Sequence, residues 1–281
     1  MNNITQLISI IIPVFNEGES IGYLLDEVLN VMQNNKLNCE LIVVNDGSND
    51  NTSTVLDELT IKIKELSVIS LRKNYGQTAA MAAGFDNSKG EIVITLDGDL
   101  QNDPNDIPKL ISHINEGYDL ICGWRYERKD KLISRRIPSK IANKLIANVT
   151  GLKLHDYGCS LKAFKKEIVD DIKLYGELHR FLPVLANIEG AKIKEIKVNH
   201  RSRKYGSSKY GIDRTFRVLM DLLTVWFMTK FLTRPMYGFG FFGIVSILIS
   251  FGMTSYLFII KLLGNDIGNR PMLMFALILG I

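Results

Sequence analysis

Between Met236 and Ile260 the chain runs for 25 residues without a formal charge. No other stretch restricts the fold as strongly. A backbone in hydrocarbon must satisfy its own N–H and C=O groups, and crossing a core of about 30 Å takes about 20 helical residues. The stretch is rich in glycine and aromatics and is flanked by Arg234 and Lys261, which fits a transmembrane helix over 236–260 better than a buried helix of a soluble protein. A second apolar run starts at Pro271 and is still apolar at Ile281. Eleven residues cannot span, so a second membrane helix is expected to begin at 271 and to be cut off. A multi-pass protein of the cell membrane is the expectation.

The 281 residues, 46% of them hydrophobic, leave room for one ordinary domain ahead of the membrane region. Its expected extent is 1–211. Apolar strand-like runs alternate there with helical periodicity: Leu7 to Val14, a helix from about Ser20, Glu40 to Val44, a helix from about Asn51, Val68 to Leu71, a helix over Thr78 to Phe85, then Ile92 to Leu96. That alternation predicts an α/β domain with a mostly parallel sheet. Residues Ser48 to Thr52 offer N-cap chemistry for the second helix. The polar start, Met1 to Gln6, leads straight into a strand pattern, so no signal peptide is expected and the domain belongs in the cytoplasm. Cys39, Cys122 and Cys159 have neither zinc-type spacing nor an even count, as expected of reduced, buried thiols. Over 212–234, Phe216, Leu219, Met220, Leu223 and Phe227 recur at helical spacing opposite Asp213, Arg217, Asp221 and Thr224. An amphipathic helix at the membrane surface is predicted, with Trp226, Lys230 and Arg234 as interfacial anchors.

Ligands of parallel sheets sit beyond the carboxyl ends of the strands. Three such ends carry polar, turn-forming clusters: Pro13-Val14-Phe15-Asn16-Glu17, Asn45-Asp46-Gly47-Ser48 and Asp97-Gly98-Asp99. The last sets two carboxylates on one turn, and Gln101 adds an oxygen two residues on. Carboxylates so placed suit Mg²⁺ or Mn²⁺, which keeps few protein ligands and takes the rest from substrate phosphates. The net charge of +4 is unevenly placed. Basic residues gather in Arg125 to Arg136 and Arg201 to Lys209, which suits an anionic ligand or lipid surface.

With these motifs in view, the chain resembles the family 2 glycosyltransferases, in particular the dolichol-phosphate-mannose synthase-like branch that acts on polyprenyl phosphates. The resemblance spans nearly the whole chain. It rests on Ile11 to Glu17, Val44 to Ser48, Leu96 to Gln101, Asp156-Tyr157-Gly158-Cys159-Ser160-Leu161-Lys162-Ala163, His179-Arg180-Phe181 and His200 to Tyr210. It implies a GT-A fold in which Pro13, Phe15, Glu17, Asp46, Asp97, Gly98 and Asp99 contact a UDP- or GDP-linked sugar. Asp99 and Gln101, with Asp97, would hold the Mg²⁺ or Mn²⁺. Arg203 and Lys209 would clamp the diphosphate from a closing loop, and Arg125, Arg135 and Ser139 would take the lipid phosphate.

The implied reaction is transfer of a hexose, by attack of a lipid phosphate oxygen on the anomeric carbon of the nucleotide sugar, with inversion and release of the nucleoside diphosphate. A phosphate monoester is already anionic near neutrality, its second pKa lying near 6, so no strong base is required. Asp156 is the candidate where proton transfer or acceptor positioning matters. The expected partners are the nucleotide sugar, a polyprenyl (undecaprenyl or dolichyl) phosphate and the membrane, with no nucleic acid and with a homo-oligomer left open. Processive polysaccharide synthases share a Gln-x-x-Arg-Trp motif that is absent from this sequence. A catalytically silent scaffold of the same fold is the reading from another class.

Overall fold

Strand β1, Leu7–Val14, is buried along all but its first residue. A run so apolar needs cover on both faces, which helices packed over a parallel sheet provide. The computed structural model describes residues 6–126, 143, 146–148, 150–202, 213–231, 234–268 and 271–280. They fall into two units, Met1–Val225 and Trp226–Ile281.

In the first unit β1 is followed by α1 (Ile21–Asn34), β2 (Asn38–Asn45), α2 (Thr52–Lys62), β3 (Leu66–Ser70), α3 (Gln77–Asn87), β4 (Ile92–Thr95), α4 (Ile107–Asn115) and β5 (Leu120–Arg125). Then come β6 (Lys162–Lys165), α5 (Lys166–Asp171), α6 (Leu182–Ile188) and β7 (Ile193–Val198), and α7 (Asp213–Phe231) carries the chain past the boundary at Val225. The seven strands lie in the order β3-β2-β1-β4-β6-β5-β7. All neighbours are parallel except β6, which runs antiparallel to both β4 and β5. The α/β architecture with a mostly parallel sheet is therefore as expected, and the reversed strand is an addition to it.

Helix α1 shows how the layers close. Ile21, Leu24, Leu25, Val28, Val31 and Met32 are its buried residues, spaced so that one stripe faces the sheet. All of them but Val31 join Ile8, Ile10 and Ile12 of β1 and Leu41 and Val43 of β2 in one core cluster. The three thiols are buried as expected. Burial pushes Cys122 up to about 12 and Cys39 and Cys159 to about 11, so none is a nucleophile at neutral pH. At the start of α2, within the Ser48 to Thr52 segment expected to cap it, Asp50 Oδ1 accepts from Thr52 N (3.0 Å).

Chain order reverses direction across the sheet at β1. Its sequential neighbour β2 lies on one side and β4 on the other, which opens a crevice at their carboxyl ends. Pro13 belongs to this crevice. The β4 ladder stops at Ile11↔Thr95, and Leu96 N donates to Ile11 O, so Pro13, pointing to the same side, lies past the last β4 bond. Only there does a central strand tolerate a residue without an N–H.

Helix α7 occupies the segment expected to be amphipathic. Among its described side chains Leu222 and Val225 are buried, whereas Met220, Leu223 and Trp226 are exposed. The Met220–Leu223 stripe is thus not packed into a protein core. In the second unit, α8 (Pro235–Leu262) is 28 residues long and apolar enough to cross a membrane. Phe239, Phe242, Phe251 and Leu262 stand exposed along it. Helix α9 (Pro271–Gly280) is a shorter apolar helix. It packs on α8 through small residues: Ser250 Oγ donates to Ala276 O (2.6 Å), and a Cβ on Gly280 would come within 2.7 Å of Ser250 Oγ.

Candidate active site

The crevice beyond β1 and β4 holds a cavity lined by Pro13, Val14, Phe15, Glu17, Asp46, Asn74, Gly76, Gln77, Ala80, Asp97, Gly98, Asp99, Glu177, His179 and Arg180. All the residues named from sequence as nucleotide contacts among the described ones are in it. Among the described residues that line it, five side chains are carboxylates and one, Arg180, is a guanidinium.

Each segment reaches the cavity through polar contacts that its own turn cannot supply. Asn16 sits in the left-handed region (φ 53°), a conformation that asparagine tolerates better than most residues. Its N–H donates to Ser48 Oγ (2.9 Å) and its Oδ1 accepts from Asn49 N (2.8 Å), which joins the β1 and β2 ends. Ser20 Oγ lies 2.9 Å from Glu17 Oε2 and 2.8 Å from Gly98 O, so the β1 and β4 ends meet there. Leu100, at φ 62°, is a second non-glycine residue in the left-handed region. It folds the turn back so that Gln101 N donates to Asp99 Oδ1 (3.1 Å). Strain of this kind collects at functional turns.

Asp46 is nearly fully buried, with Oδ1 accepting from Tyr75 N (2.7 Å) and Oδ2 from Gly76 N (2.8 Å). It thereby fixes the loop before α3, and each oxygen keeps a second lone pair toward the cavity contents. The loop depends on Gly47 as well. At φ +66° a Cβ there would stand 2.4 Å from the Lys73 carbonyl carbon. Gly47→Ala is expected to cost about 1–3 kcal/mol of unfolding free energy and to weaken nucleotide binding by displacing the 73–76 loop. Urea unfolding and calorimetric titration of UDP or GDP would check both.

Gln77 Nε2 donates to Asp97 Oδ1 (2.9 Å), a contact that the sequence reading did not assign. Asp97, Asp99 and Gln101 form an oxygen set on one turn. Gln101 Nε2 lies 3.5 Å from Arg201 O, which leaves Oε1 as the amide's remaining polar atom. Among the described residues no three His, Cys, Asp or Glu side chains make a metal-holding group. Two carboxylates and an amide oxygen fit a hard cation that draws its other ligands from phosphates and water.

Next to this turn lies a bidentate ion pair. Arg125 Nε and Nη2 donate to Asp156 Oδ2 (2.7 Å) and Oδ1 (2.9 Å). Burial works against charge on Arg125, but the bonds to Asp156 outweigh it and hold the guanidinium above its usual range, with Asp97 adding attraction. Sequence reading gave Arg125 to a phosphate and Asp156 to proton transfer; the structure commits the two first to each other. Behind them Glu195 accepts from Asp156 N (2.9 Å), His155 N (2.9 Å) and His155 Nδ1 (2.7 Å). Lys162 Nζ donates to the carbonyl of Cys159 from below the same turn. Lys162 belongs to the Asp156–Ala163 motif without a role given by the sequence, and Glu195 carries no sequence signal because its partners are distant in the chain.

His179 and Arg180 line the cavity from the turn before α6, with His179 Nδ1 2.7 Å from Thr78 Oγ1. Arg201 pairs with Glu27 (2.5 Å) and Asp103 (2.8 Å). Arg135, Ser139, Arg203 and Lys209 lie outside the described residues.

The model of glycosyl transferase family 2 matches residues 9–173. The chain is a family 2 glycosyltransferase. It is 45% identical to the dodecaprenyl-phosphate galacturonate synthase of Rhizobium johnstonii over 284 residues, which covers 97% of this chain and 82% of that protein. It is 38% identical to the undecaprenyl-phosphate 4-deoxy-4-formamido-L-arabinose transferase of Aeromonas hydrophila, covering 95% of this chain and 81% of that protein. Among solved structures, glucosyl-3-phosphoglycerate synthase from Mycobacterium tuberculosis, in complex with Mn²⁺ and UDP-glucose, superposes with a TM-score of 0.61. That superposition covers 80% of this chain and 79% of the other at 18% identity, and it shows that the family 2 glycosyltransferase described here has the GT-A fold.

Proposed function

We propose that this family 2 glycosyltransferase transfers a sugar from a nucleotide diphosphate to a polyprenyl phosphate, inverting the anomeric centre. The observation that carries the reading is the charge of the cavity, whose described lining holds five carboxylates, Asp46 beyond β2 and Glu177 before α6 among them, against one guanidinium. A diphosphate enters such a place only with cations to offset the repulsion. The Asp97–Gln101 oxygen set supplies the site for Mg²⁺ or Mn²⁺, which would neutralise the departing diphosphate. Pro13, Phe15, Glu17, Asp46 and Gly98 hold the nucleotide, and Arg203 and Lys209 clamp its phosphates. The relatives' names, with dodecaprenyl and undecaprenyl phosphate in them, support the acceptor class.

In the reaction a phosphate oxygen of the lipid attacks the anomeric carbon, and the bond from that carbon to the diphosphate oxygen breaks. The acceptor oxygen is already deprotonated, so Asp156 serves to orient Arg125 rather than to remove a proton. Arg125, Arg135 and Ser139 receive the lipid phosphate. Helix α8, about 42 Å long at 1.5 Å per residue, exceeds a core of about 30 Å and crosses it with tilt. The exposed stripe of α7 lies on the membrane surface, α9 begins a second crossing, and the catalytic unit faces the cytoplasm.

The test is nucleoside diphosphate release by the detergent-purified chain with Mn²⁺ or Mg²⁺, across UDP- and GDP-linked sugars including uronic acids and 4-amino-4-deoxy-pentose derivatives. Release that requires metal and undecaprenyl phosphate together is expected. Release indifferent to the lipid, or none with any pair, overturns the reading.

A further inference from the structure

We infer that Asn102 is a positioning residue, whose carboxamide oxygen holds the donor turn and the acceptor turn in one fixed register. Asn102 is nearly fully buried, directly after the Asp97–Gln101 turn. Its Oδ1 accepts from Asp97 N (3.2 Å) and from Ser160 Oγ (2.8 Å). The first bond orients the peptide that presents the Asp97 carboxylate. The second reaches the turn that carries Asp156, at a residue 58 positions away in the chain. One oxygen atom thus bridges the two halves of the site.

Three further contacts make the bridge stiff. Ser160 O accepts from Thr95 Oγ1 (2.6 Å), so the acceptor turn is pinned to the end of β4 on both its polar groups. The backbone of Asn102 forms an isolated antiparallel bridge with His200, and Arg201 N donates to Gln101 O (2.9 Å). The segment leading into residues 203–209 is therefore tied at the same point. Three segments that do not neighbour one another in sequence meet at this asparagine.

A side chain whose single oxygen serves two partly buried donors cannot be replaced by a methyl group without orphaning both. The inference rests on the proposed transfer reaction for its meaning, but its geometry stands independently. A residue that only stabilised the fold would lower the melting temperature and leave the two substrates' parameters alone. A positioning residue moves both substrates' parameters in protein that remains folded.

The experiment compares wild type, Asn102→Ala, Ser160→Ala, Ser160→Thr and the Asn102→Ala/Ser160→Ala double variant in the full chain. It reads Mn²⁺-dependent UDP and GDP affinity by calorimetry, KM for undecaprenyl phosphate and kcat from nucleoside diphosphate release, and Tm. Asn102→Ala is expected to weaken nucleotide binding and raise the lipid KM by about 10-fold each, the scale for orphaning a buried donor. Ser160→Ala should raise the lipid KM with little change in nucleotide affinity, and Ser160→Thr, which keeps the hydroxyl, should restore it. The double variant should be no worse than Asn102→Ala alone, because the shared atom is already gone. Losses that multiply in the double variant, or nucleotide affinity unchanged in folded Asn102→Ala, overturn the inference. A wild type that binds nucleotide but never turns over sinks the transfer reading alone, and Asn102→Ala nucleotide affinity then judges the asparagine. A wild type that binds neither nucleotide sinks both.

Discussion

Asp99→Ala is expected to lower metal-dependent turnover on the order of 10³-fold, the scale on which loss of one group stabilising developing charge is felt. Asp99 is buried in the turn after β4, and its Oδ1 also accepts from Gln101 N. A loss in the alanine variant alone would therefore mix two causes, a lost cation ligand and a loosened turn. Asp99→Asn separates them. The amide keeps an oxygen acceptor for Gln101 N but removes the negative charge that a hard cation requires. Turnover should fall in both variants, and the Mn²⁺ concentration for half-maximal rate should rise in any residual activity. Full activity of Asp99→Asn beside an inactive Asp99→Ala would reduce Asp99 to a turn former.

The second large effect is on stability. The Arg125 and Asp156 side chains are 16% and 3% exposed, and they bond through both Nε and Nη2. Removing one partner of such a pair leaves a buried charge uncompensated and costs about 3–5 kcal/mol. Asp156→Ala is expected to lower the unfolding free energy from urea titration by that much and to abolish turnover. Arg125→Lys keeps the charge but loses the fork, so it should retain much of the stability while the lipid-phosphate KM rises. The Arg125→Ala/Asp156→Ala double variant should be more stable than Asp156→Ala, because no lone charge remains. If Asp156→Asn instead keeps wild-type stability and loses only kcat, with an altered pH profile, Asp156 is acting as a base and not as the partner of Arg125.

Much of this was legible in the residues, for reasons that differ from place to place. Strands β1, β2 and β4 announced themselves because strands covered on both faces are apolar throughout. The polar clusters at their ends stood out against that background, and the cavity gathers them. What stayed hidden was every relationship that depends on direction or distance. Nothing in Lys162–Lys165 signals that this strand runs against its neighbours. Glu195 looks like any charge on an edge strand flanked by Lys194 and Lys197, yet it holds the backbone of Asp156. Ser160 Oγ and Asn102 Oδ1 have no shared period, being joined across the sheet. The ion pair stayed hidden for the same reason: neither Arg125 nor Asp156 signals its partner 31 positions away.

The reversed strand also bears on how the protein is made. Parallel strands deliver to the crevice the residues that follow them, whereas β6 delivers those that precede it, Asp156 to Leu161. The contact that seats this segment, Thr95 to Ser160, closes across 65 positions. The pairings β1–β2, β2–β3 and β1–β4 all lie within the first 95 residues. Because long closures carry more entropy than short ones, the nucleotide half can assemble on the ribosome while the acceptor half is still being synthesised. A chain stalled before residue 160 would then hold the β1, β2 and β4 ends together, with Pro13, Asp46 and Asp97 gathered, but without Glu177, His179 and Arg180 to complete the cavity.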